Sequence, residues 1–117
     1  EKGYTYELCA GILDKGISEE QTAIEEVLEE TGYAVKDLKF ITSYYSALGF
    51  AANRQILYFA RIDESMKLGA GGGVDGENIE LFYLPAAKAR EFMFDEKIVR
   101  APGLILAFQW FLSEFKA

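Results

Sequence analysis

Residues 11–33 read GILDKGISEEQTAIEEVLEETGY, and this stretch decides the fold of the chain. A short loop bracketed by glycines is followed by a run without Gly or Pro, which predicts a helix. Ser18 and Gln21 have the spacing of a capping box at the helix start, and Gly32 has the position of a C-terminal stop. The helix is therefore predicted to begin at Ser18 and to end at Thr31.

The predicted helix has one apolar side and one acidic side at helical spacing. The apolar residues are Ile24, Val27, Leu28 and Thr31, and the acidic residues are Glu26, Glu29 and Glu30. Like charges one turn apart cost roughly 0.2–0.5 kcal/mol per pair, and the C-terminal end of a helix favours cations. A bound hard cation such as Mg²⁺ or Mn²⁺ removes both penalties, because it takes oxygen ligands. The alternative is a solvated acidic surface.

Composition and charge exclude several classes of binding partner for this chain. Its 117 residues suit one domain, and half of them are hydrophobic, as in a globular protein. The net charge of −7 and the lack of a Lys/Arg cluster argue against binding to nucleic acid or to an anionic membrane. An anionic substrate therefore needs a cation to mediate its contact. One cysteine and no histidine argue against a zinc site. No apolar run is long enough to span a bilayer. A single cysteine also favours a reducing compartment, so a cytoplasmic location is expected.

The rest of the chain alternates strand and helix patterns, which predicts a mixed α/β (α+β) layer architecture. Strands are predicted over residues 4–10, 38–45, 55–62 and 79–84, and helices over residues 85–93 and 102–115. A loop covers residues 46–53. A long connection over residues 64–78 contains the glycine cluster GAGGG at 69–73.

The opening stretch resembles the Nudix box. That family pattern is Gly, five residues, Glu, seven residues, and then Arg-Glu-apolar-x-Glu-Glu-x-Gly-apolar. The positions that match are Gly11, Glu26, Val27, Glu29, Glu30, Gly32 and Tyr33. Ile17 replaces the first Glu of the pattern, and Glu25 replaces its Arg. Further likeness to the branch that hydrolyses NDP-sugars and ADP-ribose lies in ELCAG at 7–11, GGGVDGENIE at 71–80 and LAFQWFLS at 106–113.

The resemblance implies a Nudix-type α/β/α sandwich with a mixed sheet, of which residues 1–117 form the C-terminal portion. It also implies hydrolysis of the pyrophosphate bond of a nucleoside diphosphate sugar, with Mg²⁺ or Mn²⁺ as cofactor. UDP-glucose, giving UMP and glucose 1-phosphate, is the favoured substrate, and ADP-ribose is the alternative. Ile17 and Glu25 leave open a Nudix-fold binding module with weakened catalysis. An acidic interaction domain without a ligand is the third alternative.

Individual positions acquire roles from the same resemblance. The implied metal ligands are the backbone carbonyl of Ala10 with Glu26, Glu29, Glu30 and Glu77, and the implied catalytic residues are Asp75, Glu77 and Glu29. The candidates for binding substrate are Arg54 for a phosphate, Tyr45 for a base or sugar, and Gly49 in the predicted loop between them. The alternatives are a surface arginine and a core aromatic. The glycines at 69–73 are expected to let the acidic loop at 74–80 swing over the site, or to form a plain flexible connection.

Members of this branch have several strands before the box, whereas about ten residues precede Gly11 here. We therefore expect this segment to lack those N-terminal strands and to expose apolar surface and an unpaired sheet edge. Such a segment aggregates or relies on a partner segment. The complete protein is expected to be a homodimer. A monomeric segment that melts cooperatively would contradict this expectation.

Overall fold

The structure is a computed structural model that describes residues 5–6, 8, 18–46, 53–73 and 79–115. Three helices lie in these residues: α1 at Glu19–Thr31, α2 at Ala89–Met93 and α3 at Pro102–Glu114. The same residues contain four strands: β1 at Thr5–Tyr6, β2 at Lys39–Ser46, β3 at Asn53–Phe59 and β4 at Val99–Arg100. Short 3-10 turns occur at Glu64–Met66 and Ala86–Lys88. The predicted α+β class is confirmed.

The chain divides into two units, which are described separately. One unit is Cys9–Leu81, and the other combines Glu1–Leu8 with Phe82–Ala117. The first unit holds α1, β2 and β3, and the second holds α2, α3, β1 and β4. Residues 11–33 therefore belong to the first unit.

In the first unit, β2 and β3 form an antiparallel hairpin with an irregularity in the pairing between Phe40 and Thr42. The predicted strands at 38–45 and 55–62 are confirmed with shifted ends, since β3 starts two residues earlier than predicted and stops at Phe59. Leu57 on β3 is buried. An alternating pattern predicts a strand well, but the strand ends depend on which residues find a partner.

Both predicted ends of α1 are confirmed. Ser18 has an extended backbone, and its hydroxyl accepts the N–H of Gln21 at 3.0 Å. Gly32 adopts the left-handed conformation with φ 83°, and its N–H donates to the Leu28 carbonyl at 2.9 Å. A left-handed residue with this single hydrogen bond is a common helix stop, and glycine adopts it without steric cost.

The second unit has a core between α2 and α3. Met93 on α2 and Leu104 on α3 are buried. The ring of Phe92 lies between those of Phe82 and Phe108, at centroid distances of 5.7 and 5.9 Å. Strands β1 and β4 pair in parallel. Within the described ranges, no helix combines the length and the hydropathy needed to cross a bilayer.

The predicted helices at 85–93 and 102–115 are confirmed, but the predicted strand at 79–84 is wrong. Residues 79–84 have no regular secondary structure. Within this segment the Phe82 ring stacks on Phe92, whereas the Tyr83 ring is largely exposed. Alternating apolar residues in a sequence do not reveal whether a segment pairs as a strand or only packs its side chains. Of the predicted strand at 4–10, the described part is β1 with Leu8.

Candidate active site

The acidic residues of α1 are divided between two sides of the helix. Glu26 and Glu30 lie one turn apart and are half-buried, whereas Glu29 is exposed. Leu28 is 40% exposed and shares the exposed side with Glu29. Thr22, one turn before Glu26, is buried. Ile24, Val27 and Thr31 of the predicted apolar side are half-buried as well. The predicted pattern therefore fails at Leu28, which is exposed, and at Glu26 and Glu30, which are as buried as the apolar residues.

Within the described ranges, no group of three or more Asp, Glu, Cys or His side chains is placed to hold a metal ion. Those ranges contain the pair Glu26 and Glu30, on a helix whose last turn has no basic residue. Proteins commonly supply Mg²⁺ with one or two carboxylates, and water and phosphate oxygens complete its shell. The chemistry of this pair therefore fits a hard divalent cation. The other predicted residues Ala10, Asp75 and Glu77 lie outside the described residues.

A run of glycines closes over the C-terminal end of α1. The N–H groups of Gly72 and Gly73 donate to the backbone carbonyls of Glu30 and Glu29, at 2.9 and 3.0 Å respectively. Carbonyls in the last turn of a helix have no partner within the helix, so these two bonds satisfy groups that α1 leaves open. We call residues 71–73 the glycine clamp. The backbone of these residues is thus bonded to the helix end, and the expected swing of the acidic loop at 74–80 stays a prediction.

The segment before the clamp is also fixed to the end of α1. The N–H of Leu68 donates to the Gly32 carbonyl at 2.7 Å. Tyr33 is 3% exposed, and its hydroxyl donates to Glu64 Oε2 at 3.0 Å. Sequence reasoning assigned Tyr33 only to the apolar position after the glycine stop and did not identify Glu64. No local pattern indicates this hydrogen bond, because the two residues meet only in the folded chain.

The hairpin brings two predicted substrate-binding residues together. Tyr45 on β2 and Arg54 on β3 are direct cross-strand partners, and Tyr45 is 58% exposed. The Arg54 guanidinium lies 3.0 Å from the Glu19 carboxylate, with 47% and 44% of the two side chains exposed. Glu19 and Glu30 are about 16 Å apart along the helix axis. Arg54 is therefore held at the opposite end of α1 from Glu30, and the predicted Gly49 lies outside the described residues.

Tyr58 lies on the same strand as Arg54 and responds to the same charges. Burial raises the pKa of its hydroxyl above the ordinary value of 10.0, Glu19 and Glu20 raise the pKa further, and Arg54 lowers it. The hydroxyl is therefore protonated at neutral pH. Sequence reasoning missed both Glu19 and Tyr58, because their roles depend on how the first turn of α1 lies against β3.

Comparison with known proteins identifies the family of the chain. The NUDIX domain family matches residues 1–102 of the chain. The chain belongs to the Nudix family. The family predicted from the box is thus confirmed, even though Ile17 and Glu25 depart from the pattern.

Several curated proteins are similar to this Nudix chain. The uridine diphosphate glucose pyrophosphatase of Bos taurus is 40% identical over a 116-residue alignment that covers 95% of this chain and 52% of that protein. The protein of the same name from Mus musculus is 37% identical over a 117-residue alignment that covers 96% of this chain and 53% of that protein. The GDP-mannose pyrophosphatase of Pectobacterium atrosepticum is 39% identical over 106 residues, 91% and 54% respectively. The chain spans about half the length of these relatives.

Proposed function

We propose that the complete protein hydrolyses the pyrophosphate bond of a nucleoside diphosphate sugar in a metal-dependent reaction. UDP-glucose is the favoured substrate and gives UMP and glucose 1-phosphate. The observation that carries the proposal is the half-buried pair Glu26 and Glu30 in a chain of the Nudix family. Two relatives that are named uridine diphosphate glucose pyrophosphatases, at 40% and 37% identity, support the choice of substrate.

The carboxylates of Glu26 and Glu30 would hold Mg²⁺, with Mn²⁺ as the alternative. When bound, the cation would neutralise the charge of the pyrophosphate and lower the pKa of water. The net charge of −7 disfavours an anionic substrate, and a cation between the carboxylates and the pyrophosphate would reduce this repulsion. The Ala10 carbonyl, Glu29 and Glu77 are the further ligands in this proposal.

Hydrolysis adds one water molecule across a P–O bond. The water oxygen bonds to one phosphorus, and the bridging oxygen leaves with the other phosphate. A carboxylate accepts the proton that the water loses, and Asp75 or Glu77 is the proposed acceptor, with Glu29 as a further acidic group. Asp75 and Glu77 follow the glycine clamp in sequence, so the bond from Gly73 to the helix end fixes the point from which their segment departs.

Recognition of the nucleotide sugar is proposed for the hairpin. The Arg54 guanidinium is half exposed, and such a group binds phosphate oxygens with two parallel hydrogen bonds. Tyr45 presents an exposed ring beside it, which suits stacking on a base or a sugar. Glu19 holds the guanidinium when no anion is present. Gly49, which lies between the two strands in sequence, is proposed to bind substrate as well. Because Glu19 lies about 16 Å along the helix axis from Glu30, Arg54 would have to leave Glu19 to reach a phosphate that the metal holds.

GDP-mannose is the second candidate substrate. It is favoured by the 39% identity to the GDP-mannose pyrophosphatase of Pectobacterium atrosepticum. ADP-ribose is retained from the resemblance of the box and its flanking segments. We also propose that the complete protein is a cytoplasmic homodimer. Sedimentation of the complete protein measures its oligomeric state.

The test measures product release by the complete protein. UDP-glucose, GDP-mannose and ADP-ribose are each incubated with Mg²⁺ or with EDTA, and the nucleoside monophosphate is quantified by chromatography. We expect UMP release from UDP-glucose that requires the metal. The variant Glu30→Gln keeps the size of the side chain but removes its charge, and we expect it to lower the rate at least about 100-fold, as loss of a charged metal ligand does.

Glu20→Gln is the matched control. It removes the same charge from the same helix at an exposed position about 15 Å along the axis from Glu30, so the rate should stay within about twofold of the unaltered protein. Equal losses in the two variants would contradict the role of Glu30. Tight binding of a nucleotide sugar without turnover would favour the binding module, and absence of both binding and turnover would refute the proposal.

A further variant tests whether the departures from the family pattern weaken catalysis. Glu25 is exposed and lies one turn before Glu29. Glu25→Arg restores the residue of the pattern and replaces a like-charge pair by an opposite-charge pair at i, i+4. A higher rate in this variant indicates that Glu25 limits the enzyme. An unchanged rate indicates that the position is tolerant.

A further inference from the structure

We propose that the glycine clamp is a positioning element for the carboxylates at the end of α1, and this inference rests on the proposed function. The N–H groups of Gly72 and Gly73 bond the carbonyls of Glu30 and Glu29, the two acidic residues of the last turn. The clamp therefore acts on the backbone of the same residues whose side chains carry negative charge. Its effect on a bound cation would pass through the position of Glu30 rather than through any contact of its own.

The end of a helix frays unless its open carbonyls find donors. When the last turn frays, the side chains attached to it move with the backbone. The bonds from Gly72 and Gly73 close this turn from outside the helix. They also place two N–H dipoles against the end of α1 that carries partial negative charge, which reduces its repulsion of the carboxylates.

Steric contacts show why glycine is required at the clamp. A Cβ on Gly71 would lie 2.5 Å from the Glu30 carbonyl oxygen and 2.7–2.8 Å from the backbone of Thr31. Gly71, Gly72 and Gly73 have φ of 75°, 100° and 89°, which other residues rarely adopt. Close approach and backbone conformation explain these glycines, so freedom of motion is not needed to account for them.

Gly69 provides a control within the same run. A Cβ on Gly69 would meet no atom within 4 Å, and its φ lies outside the left-handed range. Gly69→Ala and Gly71→Ala make the same chemical change two residues apart. The first leaves the clamp in place, and the second forces it away from Glu30 and Thr31.

The experiment measures Mn²⁺ binding to the complete protein by electron paramagnetic resonance of the free ion, with Mn²⁺ alone as the probe. We expect Gly71→Ala to raise the Kd for Mn²⁺ about 10-fold or more, as loss of groups that orient metal ligands does. Gly69→Ala should leave the Kd within about twofold. Circular dichroism at the assay temperature establishes that each variant is folded.

A folded Gly71→Ala variant with an unchanged Kd would overturn the inference while leaving the proposed function intact. Failure of the unaltered protein to bind Mn²⁺ would refute the proposed function, and the inference would fall with it. Mn²⁺ binding by the unaltered protein distinguishes the two failures, because it is present when only the inference fails and absent when the proposed function fails.

Amide hydrogen exchange keeps the test decisive if Gly71→Ala does not fold. In the metal-free unaltered protein, the amides of Gly72 and Gly73 should exchange at least about 100-fold more slowly than in an unstructured peptide, because both are bonded to α1. Exchange at the peptide rate would indicate a mobile hinge and would overturn the inference. Gly72→Ala is the milder second variant, since its Cβ would meet only the Ile79 carbonyl oxygen, at 3.8 Å, although its φ is strained.

Discussion

The two ends of α1 are stabilised in different ways. At the start, the Ser18 hydroxyl accepts an N–H three residues later, so the cap is complete within one turn. At the other end, the carbonyls of Glu29 and Glu30 are bonded by the glycine clamp, which comes from a distant part of the chain. The first end therefore depends on the Ser18 side chain, whereas the second depends on glycines, which have no side chain to block the close approach.

This difference predicts how each end tolerates substitution. Several side chains can cap the start of a helix, so alternatives to Ser18 exist. At the far end, a Cβ on Gly32 would overlap the Gly69 carbonyl oxygen, and a Cβ on Gly71 would overlap the backbone of α1. A side chain at either position therefore forces the backbone at the far end to shift. The same end carries Glu30, to which the proposed function assigns the metal.

The largest loss of stability is expected from Gly32→Ala. The substitution forces a residue with a Cβ into φ 83° and drives the Gly69 carbonyl away, at a cost of about 3 kcal/mol. Urea unfolding of the complete protein measures the free energy. Gly69→Ala, the partner in this contact, has open space and should change the free energy by less than about 1 kcal/mol. Similar losses in the two variants would show that the close approach is not what requires glycine.

A smaller loss is expected from Tyr33→Phe at the same end. The variant keeps the buried ring but removes the hydroxyl that donates to Glu64, so the free energy of unfolding should fall by about 1.5 kcal/mol. Tyr45→Phe makes the same change at an exposed ring and should leave stability unchanged. Equal stability of all three proteins would mean that water replaces the hydrogen bond to Glu64 at no cost.

At the start of the helix, Ser18→Ala removes the cap and should cost about 1 kcal/mol. Ser18→Asp retains an oxygen acceptor for the Gln21 N–H and should lose little. Thermal denaturation of both variants measures the difference. A loss in the Asp variant as large as that in the Ala variant would show that the cap does not depend on an acceptor oxygen.

The smallest effect on stability is expected for the ion pair beside this end. Glu19 and Arg54 are half exposed, so Glu19→Gln should change the free energy of unfolding by less than about 0.5 kcal/mol. The variant should nevertheless lower the pKa of Tyr58, because Glu19 raises it. The absorbance of tyrosinate, taken as the difference from a Tyr58→Phe protein, measures this pKa. Arg54→Ala should move the pKa of Tyr58 upward, and a shift in the same direction for both variants would contradict this account.

Tyr58 also links stability to alkaline pH. Its pKa in the folded protein is raised above the ordinary value of 10.0, mainly by burial. The folded state therefore resists ionisation of this hydroxyl more than the unfolded state does. The resulting stabilisation is fully present below pH 10 and is lost as the pH rises through the raised pKa. Tyr58→Phe should be less sensitive to pH in this range than the unaltered protein.

Residues close in sequence account for what was predicted correctly. The bounds of α1 follow from Ser18 and Gly32, each of which acts within a few residues. The hairpin strands and α3 follow from side-chain periodicity, which reports which face of an element is apolar. The same reasoning failed at residues 79–84, because an alternating pattern does not reveal whether Phe82 joins a ladder or packs on Phe92.

The candidate site divides in the same way. The spacing of Glu26 and Glu30 and the match to the Nudix box are properties of the sequence alone, because a helix places residues four apart on one side whatever surrounds it. Only the tertiary structure decided that Glu29 is exposed, that Glu19 holds Arg54, and that the glycine clamp closes α1. These contacts join segments far apart in the chain. Their formation depends on the packing of whole elements, which no local pattern of residues encodes.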